Sequence, residues 1–401
     1  MTETGYGRRD RIGLSLYYLF TFASVGFGTP FLPLYWRSLG LSYLEIGIVV
    51  AVGSAAGTLV LIPAGVLSDR LHKRHPFVIG GSLLVGACFT VYPHLTEYWQ
   101  LLFAQALIGM GGTVSISAAS ALGADLFHHS VAGRSFAGVR SWGTVGFLLT
   151  MAFAYLNPGI SEAGRFLPLT AALGATAGVV ILMVSRPNGD EAVRVIRLRD
   201  AGQILRNRNT AAFVLVYLLG FMALMPATAN LSLYIQSFQP KPAPSMIPIA
   251  YAVSGACELP FLMGMGWAAD RFGRVLPMRV CFLVLPVRLV LYSLIPDPAL
   301  VLLLQATHGL TFSVLAVVPF AFMADASPPQ YRATGQAILN AAGGLANTVG
   351  LLAAGRAADV LGIRNLYSLL AGFALIGAII LFLFVKEPAR PPSAIDTNTA
   401  V

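Results

Sequence analysis

Four ionisable side chains lie deep within apolar segments of this sequence, where a charge is costly. They are Arg140, Glu258, Arg288 and His308. An ionisable group at the centre of a hydrocarbon layer costs at least about 2.5–3.5 kcal/mol on insertion scales, and such groups usually mark pathways for ions or solutes. A carboxyl group, an imidazole and two guanidinium groups can together move a proton and bind a small polar solute.

Glu258 is the best candidate for a proton carrier, because it alone among the 17 acidic residues lies well inside an apolar segment. Burial raises the pKa of a carboxyl group and a nearby Arg lowers it, so a movement that separates the two changes its protonation. We therefore expect Glu258, His308 and Arg288 to couple protons to transport. Structural roles remain open: Glu258 could simply pair with an Arg, and Arg140 could extend to the membrane surface.

The elements that hold these residues follow from composition. Hydrophobic residues make up 56% of the 401 residues, charged residues 11%, and the mean hydropathy is +0.74. This charged fraction is under half of the roughly 25% typical of soluble domains, which excludes an ordinary soluble enzyme, a disordered chain and a fibrous chain. Because a membrane helix needs about 20 apolar residues, the sequence predicts twelve spans: 12–36, 45–67, 77–96, 98–122, 135–157, 165–185, 209–236, 246–268, 277–296, 298–324, 333–355 and 364–385.

The distribution of basic residues predicts the orientation. With both termini on one side, 19 of the 26 Lys and Arg residues lie on that side, five lie on the other and two lie within spans. Basic loops face the cytoplasm, so both termini are predicted to be cytoplasmic. This bias also explains the net charge of +9 without a nucleic-acid partner. Cys88, Cys257 and Cys281 lack metal-ligand spacing, so we expect no disulfide framework, metal site or cofactor.

The chain contains an internal duplication with a period near 200 residues. Gly65–Arg70 recurs as Gly266–Arg271, and Thr144–Gly146 recurs as Thr348–Gly350. Parallel six-span repeats around a midplane site are an architecture of secondary transporters. We therefore predict a six-helix bundle over 1–185, a cytoplasmic linker over 186–208 and a second six-helix bundle with a short tail over 209–401.

These residues resemble the major facilitator superfamily over nearly the whole chain. The run Gly65–Arg74 is similar to the superfamily's loop between helices 2 and 3. Thr29–Pro33 and Arg140–Phe147 resemble the lactose permease branch. Gln305–Phe312 is similar to phenylpropionate permeases and nucleoside:proton symporters. The resemblance implies an all-α membrane protein of twelve helices in two six-helix bundles.

The resemblance also implies roles for single residues. Arg140 and Phe147 match positions that contact substrate, and Glu258 matches an essential acid. Arg288 and His308 keep the family's spacing of 20 residues. The family's coupling acid three residues after the histidine is Thr311 here, which puts lactose-type coupling in doubt. Polar and aromatic residues near the predicted lining complete the substrate-binding candidates: Gln305, Tyr35, Tyr234 and Asn230.

A gate at the cytoplasmic side is implied by the same resemblance. Asp69 and Asp270 follow helices 2 and 8, and their basic partners are expected to be Arg134 and Arg332. Such a clasp stabilises the outward-open state and must break in each cycle. The neighbouring Arg70 and Arg271 belong to the same two loops, although basic residues there could serve only to set the topology.

Together these features predict a monomeric, multi-pass secondary transporter in the inner cell membrane. We expect proton-coupled import of a small organic solute, such as a sugar, a nucleoside or an aromatic carboxylate, by alternating access. Proton-coupled efflux of drugs or metabolites is the alternative, although helix 5 lacks the Gly-Pro pattern of drug antiporters. A sensor or a membrane enzyme is a remote alternative, since no catalytic cluster is visible.

Overall fold

The computed structural model describes residues 7–71, 73–126, 132–185, 198–328 and 331–388. Within these ranges the side chains at 69, 125, 132–137, 163, 198–200 and 333 lie outside the description. All regular structure in the described part is helical, which confirms the predicted fold class. The α-helices are α1 (Arg8–Ser38), α2 (Tyr43–Leu71), α3 (His75–Val91), α4 (Tyr98–Leu126), α5 (Ala132–Leu156), α6 (Leu167–Val180), α7 (Leu198–Leu205), α8 (Arg208–Ala229), α9 (Leu231–Gln236), α10 (Met246–Phe272), α11 (Val275–Leu294), α12 (Leu300–Ala306), α13 (His308–Ala326), α14 (Arg332–Leu361) and α15 (Ile363–Phe384).

The helices have the length and hydropathy of membrane spans. Ten of the described spans are long and apolar enough to cross a bilayer, with α12 and α13 counted as one. The shorter apolar helix Leu167–Met183 and the 25-residue helix α5 bring the number to twelve. Many side chains on these helices are large, apolar and exposed, as expected where lipid replaces water as the solvent.

Two spans that the sequence predicted as continuous are interrupted. The seventh changes from α8 to α9 at Asn230, and the tenth changes from α12 to α13 at Thr307. Pro226 lies one turn before the first break, and the side-chain amide of Asn230 donates to its carbonyl at 2.9 Å. A Pro has no backbone N–H and weakens the helix around it. The second break comes directly before His308, one of the predicted site residues.

Helices pack within each half of the chain and then across the two halves. In the first half, α1 packs on α5 and α6, and α4 packs on α2 and α3. In the second half, α15 packs on α8 and α11, and α10 packs on α13. The halves meet mainly where α14 contacts α2 and where α10 contacts α5. This pairing places the middles of α5 and α10 at the interface between the bundles, with α13 packed behind α10.

The two bundles are held together at one face. We call the face where α1 begins and α15 ends the near face, and the opposite one the far face. At the far face, the carboxylate of Asp359 on α14 accepts the backbone N–H groups of Tyr43 and Leu44 at 2.9 Å each. The first N–H groups of a helix have no partner within it, and a carboxylate there is also favoured by the helix dipole. Asp359 therefore caps α2 from the other bundle, and the structure is closed at this face.

Candidate transport site

Glu258, His308 and Arg288 form one hydrogen-bonded network inside the second bundle. Glu258 lies on α10, Arg288 on α11 and His308 at the start of α13. The His308 Nε2 and Glu258 Oε1 atoms are 3.2 Å apart, and their side chains are 5% and 21% exposed. Both terminal nitrogens of Arg288 lie 3.3 Å from His308 Nδ1. The three coupling candidates predicted from sequence thus lie in one chain of contacts, with His308 between Glu258 and Arg288.

The geometry determines the protonation of His308. A guanidinium group has donors and no acceptor, so the Nδ1 atom that faces Arg288 must be the acceptor. The ring proton then lies on Nε2, which points at the Glu258 carboxylate and donates to it. In this arrangement His308 is neutral, with its proton on Nε2. A second proton on His308 would place an N–H group against the Arg288 donors, so protonation and the Arg288 contact exclude each other.

Neutral polar groups complete the surroundings of Arg288. Its terminal nitrogens donate to Thr311 Oγ1 at 3.0 Å, Gln305 Oε1 at 3.1 Å and the Tyr292 hydroxyl at 3.4 Å. Ser254 donates to the same Gln305 oxygen at 2.9 Å. Gln305 and Thr311 are thus used to hold Arg288 in place. The Arg288 Nε atom is buried and has no partner among the described atoms.

Arg140 and Phe147 lie on α5, at the contact between the bundles. The Arg140 guanidinium lies over the rings of Phe22 and Tyr18, at 4.1 and 5.2 Å from their centroids. It also interacts electrostatically with Glu258 across the bundle interface. The ring of Phe147 lies 6.5 Å from that of Tyr251 on α10. Both residues therefore lie where relative movement of the bundles changes their contacts.

The remaining substrate-binding candidates occupy the packed core. Tyr35 packs edge-on against Tyr92 and Phe166. Tyr234 is fully buried, and its hydroxyl donates to the Tyr292 carbonyl at 2.6 Å. Asn230 is buried at the break in the seventh span, as described above. An aromatic residue on a helix fills the core or lines a cavity depending on the rotation of that helix, which the sequence pattern does not fix.

The predicted gate residues are only partly within the described structure. The side chains of Asp69 and Arg134 lie outside it, while Arg70 and Arg332 are exposed. Asp270 pairs with Arg274, with 2.6 Å between Oδ1 and a terminal guanidinium nitrogen. The Arg271 guanidinium lies 5.6 Å from the ring centroid of Trp267.

Arg274 links two helices of the second bundle at the near face. Besides Asp270 on α10 it contacts Asp325 on α13, with a distance of 2.8 Å between Nε and Oδ2. Burial by itself lowers the pKa of Arg274, but the hydrogen bonds that it donates to the two carboxylates outweigh this effect and raise the pKa. Arg274 is therefore a permanent cation, and it was not among the predicted gate residues.

A cavity of about 830 Å³ opens beside the bundle interface. Helices α1 to α4 and α6 supply most of its wall, and α8 and α14 of the second bundle close it. Gln105 and Asn347 are its two amide side chains. Sequence reasoning missed both, because a neutral amide in an apolar helix is much less conspicuous than a charge. No group of three or more His, Cys, Asp or Glu residues that could hold a metal occurs in the described part of the chain.

Comparison with known proteins establishes the family. The family model described as the MFS_1-like family matches residues 11–369, which is most of the chain. The chain belongs to this family. An uncharacterised MFS-type transporter of Methanocaldococcus jannaschii is 20% identical over 92% of this chain and 96% of its own length. Multidrug resistance protein MdtH of Cronobacter sakazakii is 26% identical over 59% of this chain and 58% of its own.

Solved structures share the fold at low sequence identity. The nucleoside transporter NupG is 16% identical, with a TM-score of 0.82 over 93% of this chain and 98% of NupG. The D-xylose-proton symporter is 15% identical, with a TM-score of 0.73 over 94% of this chain and 98% of that one. The protein is thus a multi-pass membrane transporter of the major facilitator superfamily, as its sequence predicted. This is a family of transporters and not a class of enzymes.

Proposed function

We propose that this MFS transporter imports a small organic solute together with protons, by alternating access of a central site to the two membrane faces. The solute classes in question are sugars, nucleosides and aromatic carboxylates. One observation carries the proposal: an acid, an imidazole and a guanidinium group are joined in a chain inside membrane spans. In this proposal the protein is a monomer in the inner cell membrane, with both termini in the cytoplasm.

Proton uptake at this network changes its contacts in a defined way. If Glu258 is protonated, it loses its charge and with it the attraction to Arg140 across the bundle interface. If the proton passes to His308, the two Arg288 nitrogens lose their acceptor and must move. Either step weakens contacts that depend on the present arrangement of helices. Protonation is thereby linked to the conformation of the bundles.

The membrane potential supplies energy for this cycle. One charge that moves through 100 mV releases about 2.3 kcal/mol. Since each tenfold concentration ratio corresponds to about 1.4 kcal/mol, one proton per solute supports accumulation of roughly 40-fold at that potential. Two of the similar solved structures support this proposal, because one is named a nucleoside transporter and the other a D-xylose-proton symporter.

The test is transport in proteoliposomes with an imposed pH gradient. Radiolabelled uridine, D-xylose and 3-phenylpropionate are offered separately to the wild-type protein and to the Glu258→Gln variant. We expect the accepted solute to accumulate with the wild type and only to exchange with the variant. Glu162→Gln is the control, since this exposed acid lies in the short 3-10 helix Pro158–Gly164 outside the spans. Accumulation by Glu258→Gln at the wild-type level would refute the coupling role.

Efflux by proton antiport is the second candidate. The similarity to the multidrug resistance protein MdtH favours it, as does the largely apolar wall of the cavity. The two directions differ in one measurement with the same proteoliposomes. An importer accumulates solute when the proton gradient runs inward, whereas an antiporter accumulates it when the gradient runs outward. Reversal of the gradient therefore decides between them.

A further inference from the structure

The 830 Å³ cavity differs in chemistry from the network of charged residues. None of the described residues that line it carries a charge. Its wall consists mainly of apolar side chains, including Trp36 and Phe89, together with seven hydroxyl groups and two amides. The nearby Arg140 is not one of the lining residues and already faces Phe22 and Tyr18. A carboxylate in this cavity would therefore meet no opposite charge and would lose its water.

Several polar groups of the cavity are already used by the protein. Ser24 donates to the carbonyl of Thr170 at 3.0 Å. Ser82 and Ser115 are hydrogen-bonded to each other at 2.7 Å. Asn347 donates to Ser54 on α2 at 2.9 Å. These groups give the wall a fixed arrangement, and their bonding does not depend on a solute.

Gln105 is different. Its side-chain oxygen Oε1 is buried and accepts no hydrogen bond in the described structure, a state that it shares on this wall with the hydroxyl oxygen of Thr21. The rest of the side chain packs against α2, where a Cβ atom added to Gly53 would lie 3.0 Å from its Cγ. Buried acceptors in proteins are nearly always satisfied, so an unused one on a cavity wall indicates a missing donor. A solute that brings an N–H or O–H group to this point would supply it.

We propose that this cavity receives the body of the transported solute, and that the solute is uncharged and largely apolar and donates a hydrogen bond to Gln105. The inference rests on the proposed transport function and narrows its substrate class. It disfavours aromatic carboxylates, which lack a counter-ion here, and sugars, whose many hydroxyl groups would face an aliphatic wall. It favours uncharged ring compounds that carry an N–H or O–H group.

Binding of matched probes to the purified full-length protein tests this assignment. The probes are 3-phenylpropionamide, its methyl ester counterpart methyl 3-phenylpropionate, and 3-phenylpropionate. They share the aryl body and differ only in the donor and the charge. Trp36 lines the cavity and reports binding by its fluorescence once the other three tryptophans, which are exposed, are replaced by Phe. Ligand-induced thermal shift of the otherwise unaltered protein gives a second measurement.

We expect the amide to bind at least about tenfold more tightly than the ester and the carboxylate, because the ester leaves Gln105 unpaired and the carboxylate is also desolvated. Gln105→Met keeps the size of the side chain and removes the acceptor, so the preference for amide over ester should disappear. Ser24→Ala is the matched control, because its hydroxyl is bonded to the helix backbone. This control should keep the wild-type preference.

Three results would overturn the inference: tighter binding of the carboxylate, a full amide preference in Gln105→Met, or no saturable binding of either uncharged probe. The first two leave the proton-coupled function intact, because Glu258→Gln tests that separately. Conversely, if the cavity prefers the amide but transport does not depend on protons, the inferred substrate class stands and the proposed proton coupling is refuted.

Discussion

At the scale of single residues, the imidazole of His308 joins an acid to a guanidinium group. It accepts from Arg288 on one side and donates to Glu258 on the other, which only the neutral ring can do. A network of this kind is sensitive to one proton, since a second ring proton reverses the role of Nδ1. This property distinguishes a coupling site from a static ion pair.

His308→Gln separates the two roles. A Gln side chain can accept from Arg288 and donate to Glu258, but it cannot take up a proton. We expect the variant to remain folded, with a loss of stability within about 1 kcal/mol, and to exchange solute with a weakened dependence on pH. Exchange rates in proteoliposomes between pH 5.5 and 8.0 provide the measurement. An unchanged pH profile would show that His308 is structural, and His94→Gln, an exposed histidine, serves as the control.

The charged residues of the network were predictable from sequence, whereas their neutral partners were not. A charge in a membrane span is costly enough to stand out, and Glu258, Arg288 and His308 were found in this way. Gln105 carries no such cost and resembles any polar residue of a long helix. Tyr35 and Tyr234 could not be separated from cavity residues, because the rotation of a helix depends on its neighbours and not on its own pattern.

At the scale of elements, Arg274 connects the end of α10 to α13. Its pair with Asp325 is well shielded, with side chains 13% and 15% exposed, while Asp270 is 73% exposed and contributes little. We expect Arg274→Met to lower the free energy of unfolding by about 1–3 kcal/mol, because Asp325 then loses its charged partner. Arg271→Met should cost about 0.5–1 kcal/mol, since it removes exposed cation–π contacts with Trp267 and Phe272.

Thermal unfolding in detergent compares the two variants. Equal losses of stability would contradict the assigned pairing. The pairing itself was outside the reach of the sequence, which placed Asp270 opposite Arg332. Arg274 and Arg332 were both candidate partners of Asp270. The packing of α10 against α13 shows that Arg274 lies between Asp270 and Asp325.

The contact of α14 with α2 closes the far face. Close packing there depends on glycine, because a Cβ atom at Gly47 would lie 2.7 Å from the carbonyl oxygen of Leu351. Asp359 then adds a charged cap on α2 from the opposite bundle. The helices and their order were predictable from hydropathy and the internal repeat. This cap was not, since it joins residues more than 300 positions apart.

Asp359→Asn should weaken the closed far face. The amide keeps one acceptor but loses the charge and the second cap. We therefore expect the closed state to lose about 1–2 kcal/mol of stability relative to the open state. Modification of a cysteine placed at Val50 by a membrane-impermeant maleimide on the far side should become several-fold faster, in a background without the three native cysteines. Asp297→Asn is the control, because Asp297 caps Ala299 within its own bundle. Equal rates in the two variants would argue against an interbundle role for Asp359.

At the scale of the whole molecule, two kinds of contact join the bundles. Asp359 and the α2–α14 packing hold the far face, while the ring of Phe147 on α5 lies beside that of Tyr251 on α10 near the middle of the interface, where the charge of Glu258 also acts on Arg140. Alternating access requires the contacts at the far face to break when the charge at the middle of the interface changes. If Glu258 is the proton carrier, acidification by itself should shift the balance between closed and open far faces, without any solute.

The distance across the far face measures this shift directly. Spin labels at the exposed positions Leu39 and Leu361 lie on opposite bundles. Double electron–electron resonance gives the distribution of distances between them in nanodiscs at pH 5.5 and pH 8.0. We expect the populations to change with pH in the wild type and to stay fixed in Glu258→Gln, which keeps Asp359 and so shows any pH effect of that residue alone. The same pH-dependent change in Glu258→Gln would contradict the claim that this network couples protons to movement of the bundles.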